Sequence, residues 1–466
     1  MFWIPIDRSL HLSLIRQVYE QIRMRVLRGE IQAGERLPSS RELASSLEVS
    51  RNVVIEAYEQ LLAEGYIVGQ QGSGTYVAEG AYLDQEQEEE FSSFFKRSHL
   101  VEEKTGEIID FRSGIPALDM FPRKIWGQIA KEVCIEVPHA IFGYGHPEGR
   151  AELRHVLSRY LKRTRGVHCH PDQIVITSGA TQALSLVAHL LLSSEDEVII
   201  EDPITHDIQT IFSSRGSFLY PVPVDEFGMK TDLIPPDKKP GLIFVTPSHQ
   251  FPLGGTLSIQ RRIQLIQFAR KANSYIVEDD YDSEFRYQGT PVSSLQGLDP
   301  ERVIYIGTFS KILSPALRLG YLILPPSLTE RCKDLKWFTD LHTPSLEQLT
   351  LARFIDEGHL ERHVRKMKKQ YKARRDCVKT CLKKEFADSV NVLGDSTGLH
   401  LVAEFKGVDF SEQQQMEAIQ QKIKIYPVEF HAIEKGNHKN KIILGYGNLS
   451  REEIEEGIRR LKCTLT

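Results

Sequence analysis

A lysine in the second half of the chain has neighbours suited to covalent cofactor chemistry. Lys311 follows a short apolar run, Val303–Ile306, that predicts a buried strand, and Thr308, Ser310 and Arg318 lie close to it in sequence. A lysine whose ammonium form is destabilised can form a Schiff base with an aldehyde. Two hydroxyl groups and an arginine can hold a phosphate group. The pattern therefore predicts a site for a phosphorylated aldehyde cofactor.

Two further strand ends carry complementary groups. The run Ile276–Tyr281 ends in three acids and a tyrosine, and a pyridine cofactor needs an acid against its ring nitrogen. The turn Thr177–Gln182 follows a strand and opens a helix with small residues, which leaves backbone N–H groups free for phosphate. Without Lys311 the acids would indicate a metal site or a solvated strand end, and the turn would be no more specific than any glycine-rich loop.

These residues need a scaffold of buried strands and helices. The 466 residues are 41% hydrophobic and 26% charged, which is ordinary for a chain with a large core. Apolar strands that alternate with helices predict an α/β fold with a mainly parallel sheet, followed from about residue 345 by a long basic helix and a smaller α+β region. The expected strands are Ile174–Thr177, Glu197–Ile200, Leu242–Val245, Tyr275–Val277 and Val303–Ile306. The expected helices are Gln182–Leu192 and Gln260–Ala272.

The first 79 residues predict a separate small module. Apolar residues recur at helical spacing in three segments, and two short strands flank the glycine-rich turn 70–74. Three helices followed by a hairpin is the winged helix-turn-helix pattern. Residues 80–108 are expected to be a linker. Eight acids and three bases between 81 and 108 give 3 − 8 = −5, and so charged a segment cannot bury an apolar face.

The module offers groups that can read DNA. In a helix-turn-helix the second helix enters the major groove and its first residues face the base edges. Arginine is the commonest specific reader of guanine, and hydroxyl and backbone N–H groups hold phosphates. The expected DNA contacts are Ser39 and Arg41 at one helix start, Ser50, Arg51 and Asn52 at the next, and Gly72, Ser73 and Thr75 in the wing. The residues alone leave open a module that only dimerises.

Several function classes are excluded or disfavoured. A net charge of −5 excludes coating of nucleic acid by an excess of basic charge, although a local DNA-reading element is compatible with it. Six cysteines without a C-x-x-C pair fit a reducing cytoplasm. No apolar run predicts a membrane span or a signal peptide. The His168–His170 run, His359 and His363 are better explained by a turn and a charged helix face than by metal binding, so no metal site is expected.

The motifs resemble known families. The N-terminal module resembles the GntR-type winged helix of bacterial repressors. The stretches that carry this resemblance are 37–44, 49–54, 61–67 and 72–77. Residues 110–466 resemble a fold-type I aminotransferase. The runs 247–254 (PSHQFPLG) and 278–286 (EDDYDSEFR) are similar to the MocR family, which fuses these two domains. The resemblance implies a DNA-binding domain at 1–79, a linker at 80–108, and at 109–466 an aminotransferase-like domain that binds pyridoxal 5′-phosphate and dimerises.

The resemblance also implies roles for single residues. Lys311 would form the Schiff base, Asp279 would pair with the pyridine nitrogen, and Tyr281 would donate to the ring hydroxyl. Gln250 lies near the place where aminotransferases put an asparagine beside that hydroxyl. Tyr144 would reach the phosphate of the other subunit. The expected phosphate ligands are Gly179, Ala180, Thr181, Thr308, Ser310 and Arg318.

Two departures from the family pattern bear on function. After the sequence Glu-Asp-Pro at 201–203, an aromatic residue usually stacks on the cofactor ring; here either His206 stacks or the ring face is less covered. Aminotransferases also fix the substrate carboxylate with a C-terminal arginine, and none lies between Ile425 and Leu449. Lys441 cannot form the same bidentate pair, and Arg112 is an alternative.

The expected function is that of a homodimeric, domain-swapped or side-by-side transcriptional regulator that binds operator DNA. Its large domain would bind pyridoxal phosphate and sense either the cofactor or an amine, in control of vitamin B6 or amino-compound metabolism. One alternative is an active aminotransferase with an auxiliary winged helix. Another is a cofactor-free regulator with a relic domain, which the retention of Lys311, Asp279, Tyr281 and Arg318 together disfavours.

Overall fold

The computed structural model describes residues 6–8, 12–70, 72–82 and 108–465. The chain divides into two compact units, Met1–Thr105 and Gly106–Thr466. The greater part of the expected acidic linker, residues 83–107, lies outside the described residues. Each unit has its own apolar core. Within the described parts of the chain, no helix is both long enough and apolar enough to cross a membrane.

The N-terminal unit consists of three helices and one hairpin. Its helices pack Val18, Ile22, Val54 and Leu61, all fully buried, into one small core. The two strands are antiparallel. The winged helix-turn-helix expected for this part of the chain is therefore confirmed. Its elements are α1 (Leu14–Leu27), α2 (Ser40–Ser46), α3 (Arg51–Ala63), β1 (Ile67–Gln70) and β2 (Gly74–Val77).

Local sequence explains where these helices begin and end. The Ser39 hydroxyl accepts a hydrogen bond from the Glu42 backbone N–H, and the Glu42 carboxylate accepts one from the Ser39 N–H. This reciprocal capping box fixes the start of α2. Gly65 follows the end of α3 with a φ of 81°, a conformation that glycine adopts at little cost. The capping box thereby holds the start of α2, with the expected DNA contacts Ser39 and Arg41, in a defined place.

The C-terminal unit is built around an eight-stranded sheet with the strand order β4-β11-β10-β9-β8-β5-β6-β7. Strands β6, β5, β8, β9 and β10 run parallel to their neighbours in that order, and β11 runs antiparallel between β10 and β4. The mainly parallel sheet expected from the sequence is confirmed. The strands are β3 (Ile109–Asp110), β4 (Ile174–Thr177), β5 (Glu197–Asp202), β6 (Phe218–Asp225), β7 (Gly228–Met229), β8 (Leu242–Val245), β9 (Tyr275–Asp280), β10 (Val303–Thr308) and β11 (Gly320–Ile323).

Helices cover both faces of this sheet. Separate apolar clusters lie on its two sides, as expected for strands that are buried throughout. Helix α8 (Ile259–Ala272) is followed by Asn273, whose φ of 54° suits asparagine just after a helix end. The helices of this layer are α4 (Arg123–Glu136), α5 (Ala151–Arg165), α6 (Ala180–Leu191), α7 (His206–Ser213), α8 (Ile259–Ala272), α9 (Pro326–Asp340) and α10 (Ser345–Asp356).

A smaller α+β region follows, as the sequence indicates. The expected long basic helix spans 28 residues. It packs on a four-stranded sheet with the order β12-β13-β16-β15, while β14 pairs with β3. The remaining helices are α11 (His359–Phe386), α12 (Glu412–Gln420) and α13 (Arg451–Leu465), and the strands are β12 (Val390–Leu393), β13 (His400–Phe405), β14 (Ile423–Lys424), β15 (Tyr426–Pro427) and β16 (Lys441–Gly445).

Candidate cofactor site and DNA-binding surface

The candidate cofactor site lies at the carboxyl edge of the large sheet. The parallel strands β5, β8, β9 and β10 end together at this edge, where ligands bind in open α/β sheets. A cavity of about 430 Å³ opens there. The predicted site residues that line it are Ala180, Thr181, Asp279, Tyr281, Thr308, Ser310, Lys311 and Arg318. Residues from three separate stretches of sequence, 180–181, 279–281 and 308–318, are thus brought into one cavity.

Lys311 lies just beyond β10 and points its amine into this cavity. Its Nζ donates a hydrogen bond to the Gly114 carbonyl oxygen at 2.7 Å. Burial lowers the pKa of the Lys311 ammonium, and the charge of Arg112 lowers it further, whereas Asp282 and Asp279 act in the opposite direction. A lysine with a lowered pKa has more of the unprotonated amine that attacks an aldehyde. The environment of Lys311 therefore suits a Schiff base.

Asp279 is the acid that faces the cavity from β9. Its Oδ1 is buried and has no hydrogen-bond partner among the described residues. Burial raises the pKa of this carboxyl group to about 7, with a further contribution from Asp280. A protonated pyridine nitrogen would give Oδ1 a donor and return the carboxylate to its charged form. The neighbouring Asp280 faces elsewhere, since it pairs with Arg165 at 2.7 Å.

A phosphate group fits the start of α6. Gly179 precedes this helix with a φ of 101°, and no side chain caps its first N–H groups. A Cβ atom on Gly179 would lie 3.2 Å from the Arg318 guanidinium, so the arginine closes over this turn. Arg318 itself has a φ of 49°, a strained conformation for a non-glycine residue. The Thr308 and Ser310 hydroxyls lie 3.1 Å apart beside them.

Tyr281 is held by a buried histidine. Its hydroxyl donates to the His249 carbonyl oxygen at 2.9 Å, and the His249 Nδ1 lies 2.9 Å from Asp282. Among the described residues, His249, Asp282 and His400 are the group that could offer three ligand atoms to a metal. Two of these residues already pair with each other, and His400 contacts the Pro252 carbonyl oxygen. Hydrogen bonding thus accounts for the cluster, and the prediction of no metal site stays a prediction.

Gln250 does not face the cavity, and the expectation for it is corrected. Its side chain is fully buried. Its amide donates to the Pro203 and Phe251 carbonyl oxygens and accepts from the Leu253 N–H. These bonds use both N–H groups of the amide, so it has no donor left for a ring hydroxyl. The next residue, Phe251, lines the cavity instead.

The structure also bears on the two departures from the family pattern. His206 is exposed, lies near Thr210 and does not line the cavity, whereas Ile204 and Thr205 do line it. Lys441 pairs with Glu404 at 3.2 Å and does not line the cavity. Arg112 does line it.

Three further lining residues come from the C-terminal region and carry no local sequence signal. His400 begins β13, Tyr426 begins β15, and His431 follows it. Burial lowers the pKa of His400 to about 3 and that of His431 to about 4, so both imidazoles are neutral near pH 7. Tyr144, in contrast, is 82% exposed and does not line the cavity of its own chain.

The predicted DNA contacts lie on the surface of the N-terminal unit. All of them are exposed except Thr75, which is half-buried. The Arg51 Nε donates to the Ser40 hydroxyl at 3.3 Å, which brings the starts of α2 and α3 together. Ser50 makes no side-chain cap bond, so its hydroxyl is available to a ligand. A groove lined by Ser39, Ser40 and Thr75 joins these helix starts to the wing.

Arg36 belongs to the same surface, and the sequence alone did not predict it as a DNA contact. A Cβ atom on Gly74 would lie 2.9 Å from its Nε, and the residue pairs with Tyr76 by a single β-bridge. The wing has no basic residue in its turn. Arg36, in the loop between α1 and α2, places a guanidinium beside it. No short motif marks this pairing, because it depends on how the loop packs against the hairpin.

Comparison with known proteins agrees with both domains. The family model for GntR-type bacterial regulatory proteins matches residues 14–77, and that for class I and II aminotransferases matches residues 106–461. The HTH-type transcriptional regulator YdeL of Bacillus subtilis is 36% identical over 98% of both chains. The probable rhizopine catabolism regulatory protein MocR of Rhizobium meliloti is 34% identical over 98% of this chain and 95% of its own.

The chain belongs to the MocR family of transcriptional regulators. This confirms the resemblance and the fold class expected from sequence. Another relative, the pyridoxine biosynthesis regulator PdxR of Corynebacterium glutamicum, is 32% identical over 81% of both chains. The crystal structure of Pyrococcus horikoshii kynurenine aminotransferase matches with a TM-score of 0.72 and 29% identity, over 82% of this chain and 95% of that one. The aminotransferase domain indicates pyridoxal 5′-phosphate as the cofactor of this family member.

Glu201 provides a test of the buried charges around the site. Its carboxylate accepts bonds from the Thr246 N–H and hydroxyl, and burial raises its pKa from 4.5 to about 7. The folded protein therefore holds this proton where the unfolded chain has lost it, and stability falls as the pH rises from 4.5 to 7. In Glu201→Gln, we expect the loss of unfolding free energy with pH to be smaller by up to about 1.4 kcal/mol per pH unit.

Denaturant unfolding of the cofactor-free protein at several pH values in that window measures this slope. Glu195→Gln, which changes an exposed carboxylate in the loop before β5, should retain the wild-type slope. An equal slope in Glu201→Gln and the wild type would contradict the raised pKa of Glu201 in the folded protein.

Arg51 provides a test of the DNA surface. Arg51→Ala removes the guanidinium at the start of α3. We expect it to weaken binding to the DNA upstream of the gene by about 1–3 kcal/mol, because arginine to guanine is the commonest specific base contact and a good bidentate pair contributes about that much. Arg16→Ala is the control: Arg16 pairs with Glu20, and α1 contacts the opposite end of α3, where Tyr19 bonds Glu64. Gel shifts measure the DNA affinity of both variants. Wild-type affinity in Arg51→Ala would rule out an orientation in which the start of α3 faces the base edges.

Proposed function

We propose that this protein is a homodimeric transcriptional regulator whose aminotransferase-like domain senses pyridoxal phosphate or an amine rather than turning over substrate. One observation carries the proposal. The cavity keeps Lys311, Asp279 and the phosphate cradle, while its lining contains no arginine from the C-terminal region. A domain that holds its cofactor but does not clamp a substrate carboxylate in the usual way is suited to binding and reporting.

The proposed pathway follows from the relatives. PdxR is named for pyridoxine biosynthesis and MocR for rhizopine catabolism. We propose that this chain controls vitamin B6 or amino-compound metabolism. We propose that it acts in the cytoplasm, on the nucleoid, since its expected partner is operator DNA. The proposed domains are residues 1–79 for DNA binding, 80–108 for the linker, and 109–466 for cofactor binding and dimerisation.

The proposed homodimer is supported by large apolar side chains at the surface of the C-terminal unit. Phe338 is 88% exposed and Ile135 is 72% exposed, and Phe142 and Tyr144 are exposed beside a loop of the same unit. Covering apolar side chains of this size with a partner chain lowers the free energy of the assembly. In the proposed dimer, side-by-side or domain-swapped, Tyr144 reaches the cofactor phosphate of the partner chain.

An active aminotransferase is the second candidate. The kynurenine aminotransferase from Pyrococcus horikoshii shares the fold, and the residues that hold the cofactor are compatible with a half-reaction. Sustained turnover of an amino donor and a keto acid would favour this candidate. Spectral change without turnover would favour the sensor.

Lys311→Ala tests the cofactor site. Purified wild-type protein with added pyridoxal phosphate should show a Schiff-base absorbance band that borohydride abolishes, because reduction converts the conjugated C=N bond to a stable amine. Lys311→Ala should lack the band, and Lys406→Ala, at an exposed lysine, should keep it. A band of wild-type intensity in Lys311→Ala would move the site to another lysine, and no band in the wild type would make the domain a relic.

A further inference from the structure

A fully buried lysine lies on α9, outside the cofactor cavity. The Lys336 side chain is 0% exposed and does not line the cavity. Lysine is almost never fully buried unless its charge is paired, because the ammonium group loses its hydration there. Burial lowers the pKa of the Lys336 ammonium, while Asp340 acts in the opposite direction. A buried ammonium at this position calls for an explanation other than Schiff-base chemistry, which is assigned to Lys311.

Asp340 is the partner of this lysine, four residues further along the same helix. The Lys336 Nζ donates a hydrogen bond to Asp340 Oδ1 at 2.6 Å. The stability of α9 does not explain the pair. Asp340 is the last residue of α9, where the helix dipole disfavours a carboxylate, and a lysine four residues before an acid is the weaker order of such pairs. The explanation therefore lies in what the other carboxylate oxygen contacts.

The second oxygen of Asp340 meets the turn that opens α6. Asp340 Oδ2 accepts a hydrogen bond from the Gln182 Nε2 at 2.7 Å, and the Gln182 Oε1 accepts one from the Ser178 N–H at 2.8 Å. A carboxylate accepts only from the NH2 end of an amide, so Asp340 fixes which end of Gln182 faces Ser178. Four residues thus form one chain of hydrogen bonds, the α9 relay: Lys336, Asp340, Gln182 and Ser178.

The relay ends in the turn that is expected to hold the cofactor phosphate. The expected phosphate ligands Gly179, Ala180 and Thr181 follow Ser178 directly. A Cβ atom on Gly320 would lie 2.8 Å from the Gly179 Cα, so β11 also packs on this turn. A backbone that is already fixed binds a ligand more tightly, because it loses less freedom on binding. Holding Ser178 in place therefore favours phosphate binding at the residues that follow it.

The charge of Asp340 gives Lys336 its task. An unpaired carboxylate in contact with the first turn of α6 would repel a phosphate dianion. Water screens this charge only partly, because the Asp340 side chain is 26% exposed, and Lys336 cancels it from the buried side. The backbone also holds Asp340 in place. The His342 N–H donates to its carbonyl oxygen at 2.7 Å around Leu341, whose φ is 60°, a γ-turn that is strained for leucine.

We propose that Lys336 is a positioning residue for the cofactor phosphate, acting through Asp340 and Gln182. In this role it sets how strongly the protein prefers the phosphorylated cofactor to its unphosphorylated form. The inference rests on the proposed function, because it needs pyridoxal phosphate at Lys311. In a regulator, this affinity decides the cofactor concentration at which the large domain fills.

Paired titrations with pyridoxal 5′-phosphate and pyridoxal test this role. Both ligands carry the aldehyde, and only the first carries the phosphate. The full chain is titrated with each, and the Schiff-base band gives the two half-saturating concentrations. In Lys336→Met we expect the preference for the phosphorylated ligand to fall about tenfold, as the loss of one charge-assisted hydrogen bond allows, while the value for pyridoxal stays unchanged. Because every variant meets the same two ligands, differences in their solution chemistry cancel.

A double variant separates charge from packing. Lys336→Met combined with Asp340→Asn removes both charges and keeps an amide oxygen that can accept from Gln182, so we expect it to restore most of the preference. Gln182→Leu breaks the relay at its other end and should lose the preference as Lys336→Met does. Lys333→Met is the matched control, at a lysine of α9 that pairs with Glu330, and it should keep the wild-type ratio.

Three results would overturn the proposal. The first is a wild-type preference in Lys336→Met or in Gln182→Leu. The second is an equal loss of affinity for both ligands, and the third is a double variant no better than Lys336→Met, since disturbed packing would then explain the loss. If thermal melting shows that Lys336→Met is unfolded, Gln182→Leu and the double variant carry the test.

The failure of the proposed function gives a different result. Wild-type protein without a Schiff-base band for either ligand would refute the cofactor site itself. A normal band with pyridoxal phosphate and an unchanged preference in the variants would leave the cofactor site standing and refute only the role of Lys336. If pyridoxal alone gives no band, the inhibition constant of inorganic phosphate against pyridoxal phosphate takes its place, and Lys336→Met should weaken it about tenfold.

Discussion

The buried carboxyl group of Asp279 is the constraint on which the large unit depends. An acid at the end of a buried strand, without a hydrogen-bond donor for Oδ1, is costly unless it is protonated or meets a cation. Lys311 stands across the cavity with a lowered pKa. A phosphorylated pyridine aldehyde would resolve both, since Asp279 would hold its protonated ring nitrogen and Lys311 would hold its aldehyde. The strands, the glycine turn and Arg318 serve to place these groups.

A binding site can become a switch only if the ligand has different affinities for two states of the protein. The two units of this chain have separate cores, and the segment between them is acidic. Pyridoxal phosphate binds in one unit and DNA in the other, so the coupling between them is a free energy to be measured.

Much of this arrangement is readable from the sequence, because it is local. Strand ends followed by charged residues, such as Val303–Ile306 before Lys311, predict the carboxyl edge of a parallel sheet. Capping residues such as Ser39 predict helix starts. What could not be read depends on contacts between distant residues. Gln250 and Phe251 differ by one position, and only the packing of their loop decides which one faces the cavity. His400 joins the site only because β13 packs against the loop that contains His249.

The most direct measurement of the central claim is the affinity of the full chain for its upstream DNA with and without pyridoxal phosphate, for the wild type and for Lys311→Ala. Fluorescence anisotropy with labelled DNA gives each dissociation constant. The account predicts that the cofactor changes the wild-type affinity by about fivefold or more, a typical coupling free energy of about 1 kcal/mol, and leaves that of Lys311→Ala unchanged. Equal wild-type affinities, in protein that carries the cofactor band, would contradict it.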